Sequence, residues 1–225
     1  MAHHHSPRIV TDGLLLTLDA VNTKSYPGSG TVWYDLSGNG HNFNLINGPS
    51  LTSEGFSFDG TNQYANIGSS GLNLDTANDR TIEIWVKVAS FPAITGGLFG
   101  DQASTSAVIL VDASGKFNFR WDDSSNVLSN FTLTEGEWAH FALVHRPHRY
   151  ITYYVNGELD TAEFLTSDSG VTGNSAWSIG RQNRNFTGEY YYLNCTVSIA
   201  RQYNRQLTAA EIRQNFNAHR LRHGL

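Results

Sequence analysis

Apolar residues recur at every second position in short runs, and each run ends in a turn signal. "GLLLTLDA" places Leu14, Leu16 and Leu18 on one face, and "TIEIWVKV" does the same with Ile82, Ile84, Val86 and Val88. "KFNFRW" gives Phe117, Phe119 and Trp121, and "HFALVH" and "RYITYYV" repeat the period. A period of two is that of a pleated strand with one buried face. Between the runs stand "NGP" at Asn47, "DGTN" at Asp59, "ASG" at Ala113 and "NGE" at Asn156. Asn156-Gly157 is the strongest hairpin signal, because a type I′ turn needs two residues tolerant of positive φ. Many short strands punctuated in this way predict an all-β sandwich or barrel. The spacing of Trp33, Trp85, Trp121, Trp138 and Trp177 suits packing between two sheets.

One segment breaks the pattern. "LTAAEIRQNF" carries a capping box, in which the Thr208 hydroxyl caps a helix and Glu211 reaches back. Leu207 and Ile212 stand at hydrophobic-staple positions, and Ile212 and Phe216 share a face that can dock on a sheet. The predicted organisation is an N-terminal arm (1–9), a β-sandwich (10–207), and a helix with a basic tail (208–225) packed on the sandwich or on a neighbour.

With 225 residues, one domain is the simplest organisation. A net charge of -5 argues against a general nucleic-acid binder, because phosphate contacts need a basic surface. No apolar run reaches the roughly 18 residues of a membrane span. "MAHHHSPRIV" has no apolar signal-peptide core. Cys195 is the sole cysteine, so no disulfide can form within the chain, and a buried inert thiol is expected. The Asn-x-Thr strings at Asn130, Asn185 and Asn194 read as chance.

"WYDLSGNGHNFNL" offers oxygens from Asp35, Ser37, Asn39 and Asn42 around Gly38 and Gly40. Spaced carboxylate and amide oxygens can hold calcium, with Asp35 and Asn39 the candidate ligands. The same residues make an ordinary tight turn between two strands. Calcium here is the one cofactor that the residues suggest.

The ordered segments "VTDGLLLTLDA", "TVWYDLSGNGHNFNL", "FSFDGTNQYANIG", "TIEIWVKV", "GEWAHFALVHR", "YYVNGELD", "WSIGRQNRNFTGEYYYLN" and "RQYNRQLTAAEIRQNFNA" resemble a laminin-G-like domain of the concanavalin-A-like lectin/glucanase superfamily. The resemblance runs from about Val10 to the C-terminus. It implies a concanavalin-A-like jelly-roll sandwich of two antiparallel sheets with one short C-terminal helix. "HSPRIVTDGLLLTLDA", "NTKSYPGSGTVWYDLSGNG" and "YNRQLTAAEIRQNFNAHRLRHGL" are also similar to virion proteins of tailed bacteriophages, notably phages of marine cyanobacteria. That similarity implies a structural protein assembled in the host cytoplasm into the virion. It would sit on the capsid or tail, with other phage virion proteins and further copies of itself as partners. His3, His4, His5, Arg8, Arg220 and Arg222 are the residues expected at an assembly interface. No heptads or fibre repeats occur, which favours a compact decoration or accessory component over a tail-fibre shaft. In "YLNCTVSIARQYNR" the chain departs from its relatives: Cys195 replaces a glycine, Ser198 an often acidic residue, and Gln202 an apolar one.

Glucanases of this superfamily carry Glu-x-Asp-x-x-Glu on one strand, which holds two carboxylates about 5 Å apart for retaining hydrolysis. This chain has no such string. Glu83 stands alone, Asp122 and Asp123 are adjacent and so point to opposite strand faces, and Glu135 and Glu137 precede a strand. No nucleophile elbow appears. The chain is therefore expected not to be an enzyme, with a glycoside-hydrolase relative as the remote alternative. Glycan binding is the nearer alternative. Trp121 and Asp122, with Arg181, Gln182 and Asn183, offer an aromatic face and planar polar groups suited to a host-surface sugar. Tyr190, Tyr191 and Tyr192 follow, but strand alternation prevents all three from lining one site. "HRPHRY" (145–150) reads as a basic hairpin tip.

Overall fold

A computed structural model describes residues 7–68, 72, 78–101, 108–120, 126–146, 150–164, 176–184 and 189–225. In chain order the strands are β1 (Leu14–Asp19), β2 (Val32–Trp33), β3 (Phe43–Ile46), β4 (Ser50–Leu51), β5 (Phe56–Asp59), β6 (Tyr64–Ile67), β7 (Arg80–Val88), β8 (Thr95–Asp101) and β9 (Val108–Asp112). They continue as β10 (Phe117–Arg120), β11 (Val127–Leu128), β12 (Trp138–Arg146), β13 (Tyr150–Val155), β14 (Glu158–Phe164), β15 (Trp177–Ile179), β16 (Arg181–Arg184), β17 (Glu189–Tyr192) and β18 (Asn194–Tyr203). The helix α1 (Ala209–His219) follows, then a 3₁₀ turn (Arg220–His223).

Two eight-stranded antiparallel sheets form the sandwich expected from the sequence. One runs β14-β13-β12-β7-β18-β5-β4, with β1 also on β18; the other runs β11-β10-β9-β8-β15-β6-β3-β2. The long strand β18 pairs with β5 along its first half and with β1 along its second. The β16–β17 hairpin stands apart from both sheets.

Alternation places Ile82, Ile84, Val86 and Val88 in the inter-sheet core, with Phe117 and Phe119 from the opposite sheet. Aromatic rings fill the core: Phe117 stacks on Phe141 of the opposite sheet at 4.2 Å, and within one sheet Phe99 meets the edge of Trp177 at 5.2 Å. Tyr153, on β13, crosses the core. Its hydroxyl donates to the Val127 carbonyl at 2.7 Å and accepts from the Phe119 amide at 3.0 Å. Burial pushes its ionisation well above the ordinary tyrosine value. Asn156 and Gly157 join β13 to β14 with φ of 52° and 79°, the positive values a type I′ hairpin needs.

Three expectations are corrected. Leu14 does not share the face of Leu16 and Leu18, because the register of β1 against β18 shifts between Leu14 and Leu16. Such a bulge turns the following residues over; Leu14 packs with Val10, Tyr203 and Ile212 instead. Of the tryptophans, Trp33 and Trp177 lie between the sheets, but Trp85 and Trp138 do not. They occupy the alternate positions of β7 and β12, so the same pleat that buries Ile84 and Ala139 sends them to the outer face. The 145–150 segment does stand where β12 turns into β13, with Arg146 and Tyr150 exposed. But His145 is not part of a solvated tip: it is buried, with its ring 6.4 Å from that of Phe119, and residues 147–149 lie outside the described residues. Trp121 lies outside the described residues.

The outer face of β7, β12 and β18 is covered by α1. The helix begins with the expected capping box: the Thr208 hydroxyl accepts from the Glu211 amide at 3.3 Å, and Glu211 accepts from the Thr208 amide at 2.8 Å. Arg205 grips both Glu211 oxygens at 2.6 and 3.0 Å and holds that carboxyl down at about 2. Ile212 and Phe216 face the sheet as predicted. Ile212 is fully buried, and Phe216 stacks on Trp85 at 5.6 Å. Gly157 lets the helix approach the hairpin, for a Cβ there would lie 2.9 Å from Phe216 Cδ1.

Candidate functional site

The β16–β17 hairpin carries most of the ligand candidates read from the sequence. It lies against β8 because that strand opens with Gly96 and Gly97. A Cβ on Gly97 would fall 2.2 Å from the Gln182 amide nitrogen, and one on Gly96 2.7 Å from Leu193 Cδ1. Gly180, at φ 84°, redirects the chain from β15 into β16, and Ser178 Oγ donates to the Arg181 carbonyl at 2.7 Å.

This seat sets Arg181 between two rings. Its guanidinium carbon lies 3.6 Å from the Tyr64 ring centroid and 4.3 Å from that of Tyr190. Tyr192 completes the group, 6.0 Å from Tyr190 and 6.3 Å from Tyr64. Each cation–π contact is worth about 0.5–2 kcal/mol, so the stack stiffens the rings. Arg181 pairs with Tyr192, and Gln182 with Tyr191, across the hairpin. Alternation therefore keeps Tyr190 and Tyr192 with Arg181 and sends Tyr191 and Gln182 to the other side. Gln182 is buried there, its carbonyl oxygen without a hydrogen-bond partner among the described residues. Asn183 pairs with Tyr190 through the backbone. Its side chain, like Trp121 and Asp122, lies outside what is described. Tyr64 was missing from the sequence reading, because it comes from β6, far along the chain. The resulting surface is a tyrosine platform with phenol groups around a fixed positive charge, with Tyr190 39% exposed. Such a surface can take the flat apolar face of a ring-shaped ligand and hydrogen-bond its rim.

The Asp35 loop is a self-contained corner. Asp35 Oδ1 accepts from the amides of Thr17 and Ser37 at 2.9 and 2.8 Å. Oδ2 accepts from Ser37 Oγ at 2.6 Å and from the His41 amide at 3.1 Å. Asn39 Nδ2 donates to the Leu15 carbonyl at 3.0 Å. Asp35 thus joins β1 to the β2–β3 connection. Among the described residues no group of three or more His, Cys, Asp or Glu side chains is placed to share a metal ion.

Of the assembly candidates, His3, His4 and His5 lie outside the described residues. Arg8 and Arg220 are exposed, and the Arg8 carbonyl accepts from Gln214 Nε2 at 2.6 Å. Arg222 is tied within the chain, its Nη1 2.8 Å from Asp19 Oδ1.

A polar cluster under α1 was not legible in the sequence. Glu83, on the outer face of β7, is fully buried. Its Oε2 accepts from Asn215 Nδ2 at 2.9 Å and lies 3.7 Å from Arg201 Nη1; its Oε1 is 3.6 Å from His140 Nε2. Asn215 also accepts the Val10 amide at 2.8 Å and donates to the Tyr203 hydroxyl at 3.0 Å. The available signal was a lone carboxylate within the apolar alternation of β7, and it did not show what would cover it.

A laminin-G-type family model, described as the concanavalin A-like lectin/glucanases superfamily, matches residues 59–213, more than half of the chain. The chain belongs to that superfamily. Solved structures share the fold of this laminin-G-like domain at low identity. Trypanosoma rangeli sialidase in complex with sialic acid is 20% identical with a TM-score of 0.71, covering 93% of this chain and 33% of that one. A structure of botulinum neurotoxin type C, concerned with its interaction with two ganglioside molecules, is 12% identical with a TM-score of 0.72, covering 93% and 52%. The binding domain of Paraclostridial Mosquitocidal Protein 1 is 17% identical with a TM-score of 0.67, covering 93% and 53%. The laminin-G-like chain thus spans about a third of the sialidase and about half of each toxin chain. No curated protein sequence matches it. Among the described residues, no helix is long and apolar enough to cross a membrane.

Proposed function

We propose that this laminin-G-like domain is a non-catalytic structural protein of a tailed-bacteriophage virion, a rigid adhesion module on the capsid or tail. The observation that carries this reading is the closure of one sandwich face. Residues 8–10, α1 and the 3₁₀ turn gather there and present Arg8 and Arg220 to solvent. Exposed arginines beside a sealed sheet suit attachment to an acidic surface of another virion protein. The carboxylate buried under that face, Glu83, is engaged by Arg201 and Asn215. The phage setting rests on the sequence similarity of "HSPRIVTDGLLLTLDA" and of the C-terminal segment. Antibody labelling and mass spectrometry of purified particles test it. The protein is expected at fixed stoichiometry, and the double variant R8E/R220E should fold yet be lost from particles. Particles that never contain the chain overturn the reading.

A second reading, a receptor-recognition lectin on the same particle, is favoured by the Arg181–tyrosine platform. The sialic acid complex of the sialidase and the ganglioside interaction of the neurotoxin point to the same ligand class. A glycan array probed with the purified protein should give signals that Tyr190→Ala removes. A blank array counts against it.

A further inference from the structure

The interface between α1 and the sheet is unusually polar for a layer contact. Beneath the helix, β7 contributes Glu83, β12 His140, and β18 Arg201 and Tyr203, all buried. The C-terminal segment sets two histidines against them. His219 Nε2 lies 2.5 Å from Arg201 Nη2, and the His223 ring stacks on Trp85 at 4.1 Å and meets the edge of Trp138 at 4.5 Å. His223 Nδ1 lies 3.0 Å from the His219 carbonyl, while its Nε2 is buried without a hydrogen-bond partner among the described residues. Around the rim stand Arg222, paired with Asp19, and the Lys87–Glu54 pair beside Trp138.

These neighbours tolerate neutral imidazoles and oppose charged ones. Arg201 is a permanent cation and can only donate, so His219 Nε2 must stay unprotonated. A proton on it would put two donors and two positive charges 2.5 Å apart. Burial holds His219 down at about 2, with Arg201, Arg222, His223 and His140 adding to the effect. Burial likewise lowers His223 to about 4; Arg222 and His140 add to this, while the His219 carbonyl and Asp19 oppose it. Of the nearby anions, Glu83 is already engaged by Arg201 and Asn215, Asp19 by Arg222, and Glu54 by Lys87.

We propose that α1 and the 3₁₀ turn form an acid-released latch, lifted from the outer face of the sheet when His219 and His223 take up protons, while the sandwich beneath stays folded. The sandwich can survive because its main core lies between the sheets. The latch side adds only a small separate cluster of Val10, Ala142, Val144, Tyr203, Leu207 and Ile212. Lifting the latch lets water reach Glu83, Arg201 and His140, which offsets part of the lost apolar contact. It also frees Val10, whose amide is held by Asn215. The linkage sign follows from the lowered values. Both histidines bind protons more weakly docked than free, so docking is favoured fully above about pH 6.5 and weakens as pH falls. Each histidine shifts the equilibrium up to tenfold per pH unit, from about 6.5 down to its docked value.

Hydrogen exchange of the full chain, corrected for intrinsic rates, tests this between about pH 8 and pH 4.5. Protection across 209–223 should fall by up to about 100-fold per pH unit below about 6.5, while β9, β10 and β12 keep theirs. The H219Q/H223Q variant should hold its helix protection constant over the same range. If that variant fails to fold near neutral pH, H223Q alone must reduce the slope toward about tenfold per unit. Helix protection that is unchanged in acid overturns the latch. So does loss that always coincides with loss in β9, β10 and β12, or a pH response that survives the substitutions.

Discussion

Arg201 and His219 meet at 2.5 Å, Nη2 to Nε2, between β18 and the helix that covers it. The contact fixes the tautomer of His219, with its ring proton on Nδ1, since a guanidinium offers no acceptor. Arg201 also faces Glu83 at 3.7 Å, so one buried cation serves a carboxylate on the sheet and an imidazole on the helix. The helix is held by this polar network as well as by its two apolar anchors, Ile212 and Phe216.

Glu83 is the anion on which that network depends. Glu83→Ala leaves Arg201 buried without its counter-charge and removes one of the two acceptors of Asn215 Nδ2, the other being the Tyr203 hydroxyl. The expected loss is about 3–5 kcal/mol, a large share of a typical domain stability. Urea unfolding near neutral pH measures it. Glu83→Gln, which keeps an acceptor oxygen, should lose less. A loss below about 1 kcal/mol for the alanine variant would show that the cluster is hydrated.

Thr208→Ala removes one half of the capping box and leaves the Glu211 amide unsatisfied. About 1 kcal/mol should be lost, seen as a lower thermal midpoint by circular dichroism. The effect should also appear as faster amide exchange in the first turn of α1. An unchanged midpoint would mean that the Arg205–Glu211 pair alone holds the helix start.

Gly97 has no room for a side chain, since its Cβ would lie 2.2 Å from the Gln182 nitrogen. Gly97→Ala must push the β16–β17 hairpin away from β8 and separate Tyr190 from Tyr64. A destabilisation of about 1–3 kcal/mol is expected. Altered chemical shifts should be confined to Tyr64, Tyr190, Tyr192 and their neighbours. Shifts spread evenly over both sheets would contradict this view of the hairpin as a separately seated unit.

Cys195 is fully buried in the core, and desolvation pushes its thiol far above the ordinary range. A thiol reagent such as DTNB should label it only after denaturation, at the rate of global unfolding. Rapid labelling of the native protein near neutral pH would show that β18 opens locally.

Much of the architecture was written locally. The alternation of Ile82, Ile84, Val86 and Val88 marked a strand with one core face. Asn156-Gly157 marked a hairpin, and Thr208 with Glu211 marked the start of a helix. Each of these signals lies within a few residues, and period and turn geometry are properties of short segments. The same alternation kept Tyr190 and Tyr192 on one side and Tyr191 on the other. It could not supply Tyr64, which reaches Arg181 only through the pairing of β6 with β15.

The sequence by itself determined that this chain is an all-β sandwich or barrel closed by a capped helix, because hydrophobic period, turn residues and caps are all short-range; the two-sheet jelly roll was what the family resemblance implied. Only the tertiary structure decided what lies opposite what. The bulge after Leu14, the outward turn of Trp85 and Trp138, and the meeting of Glu83 with Arg201 and of Arg201 with His219 depend on strand register and on the docking of α1. Those contacts join residues many positions apart, and register and docking are set by the packing of the whole sandwich, which no local pattern contains.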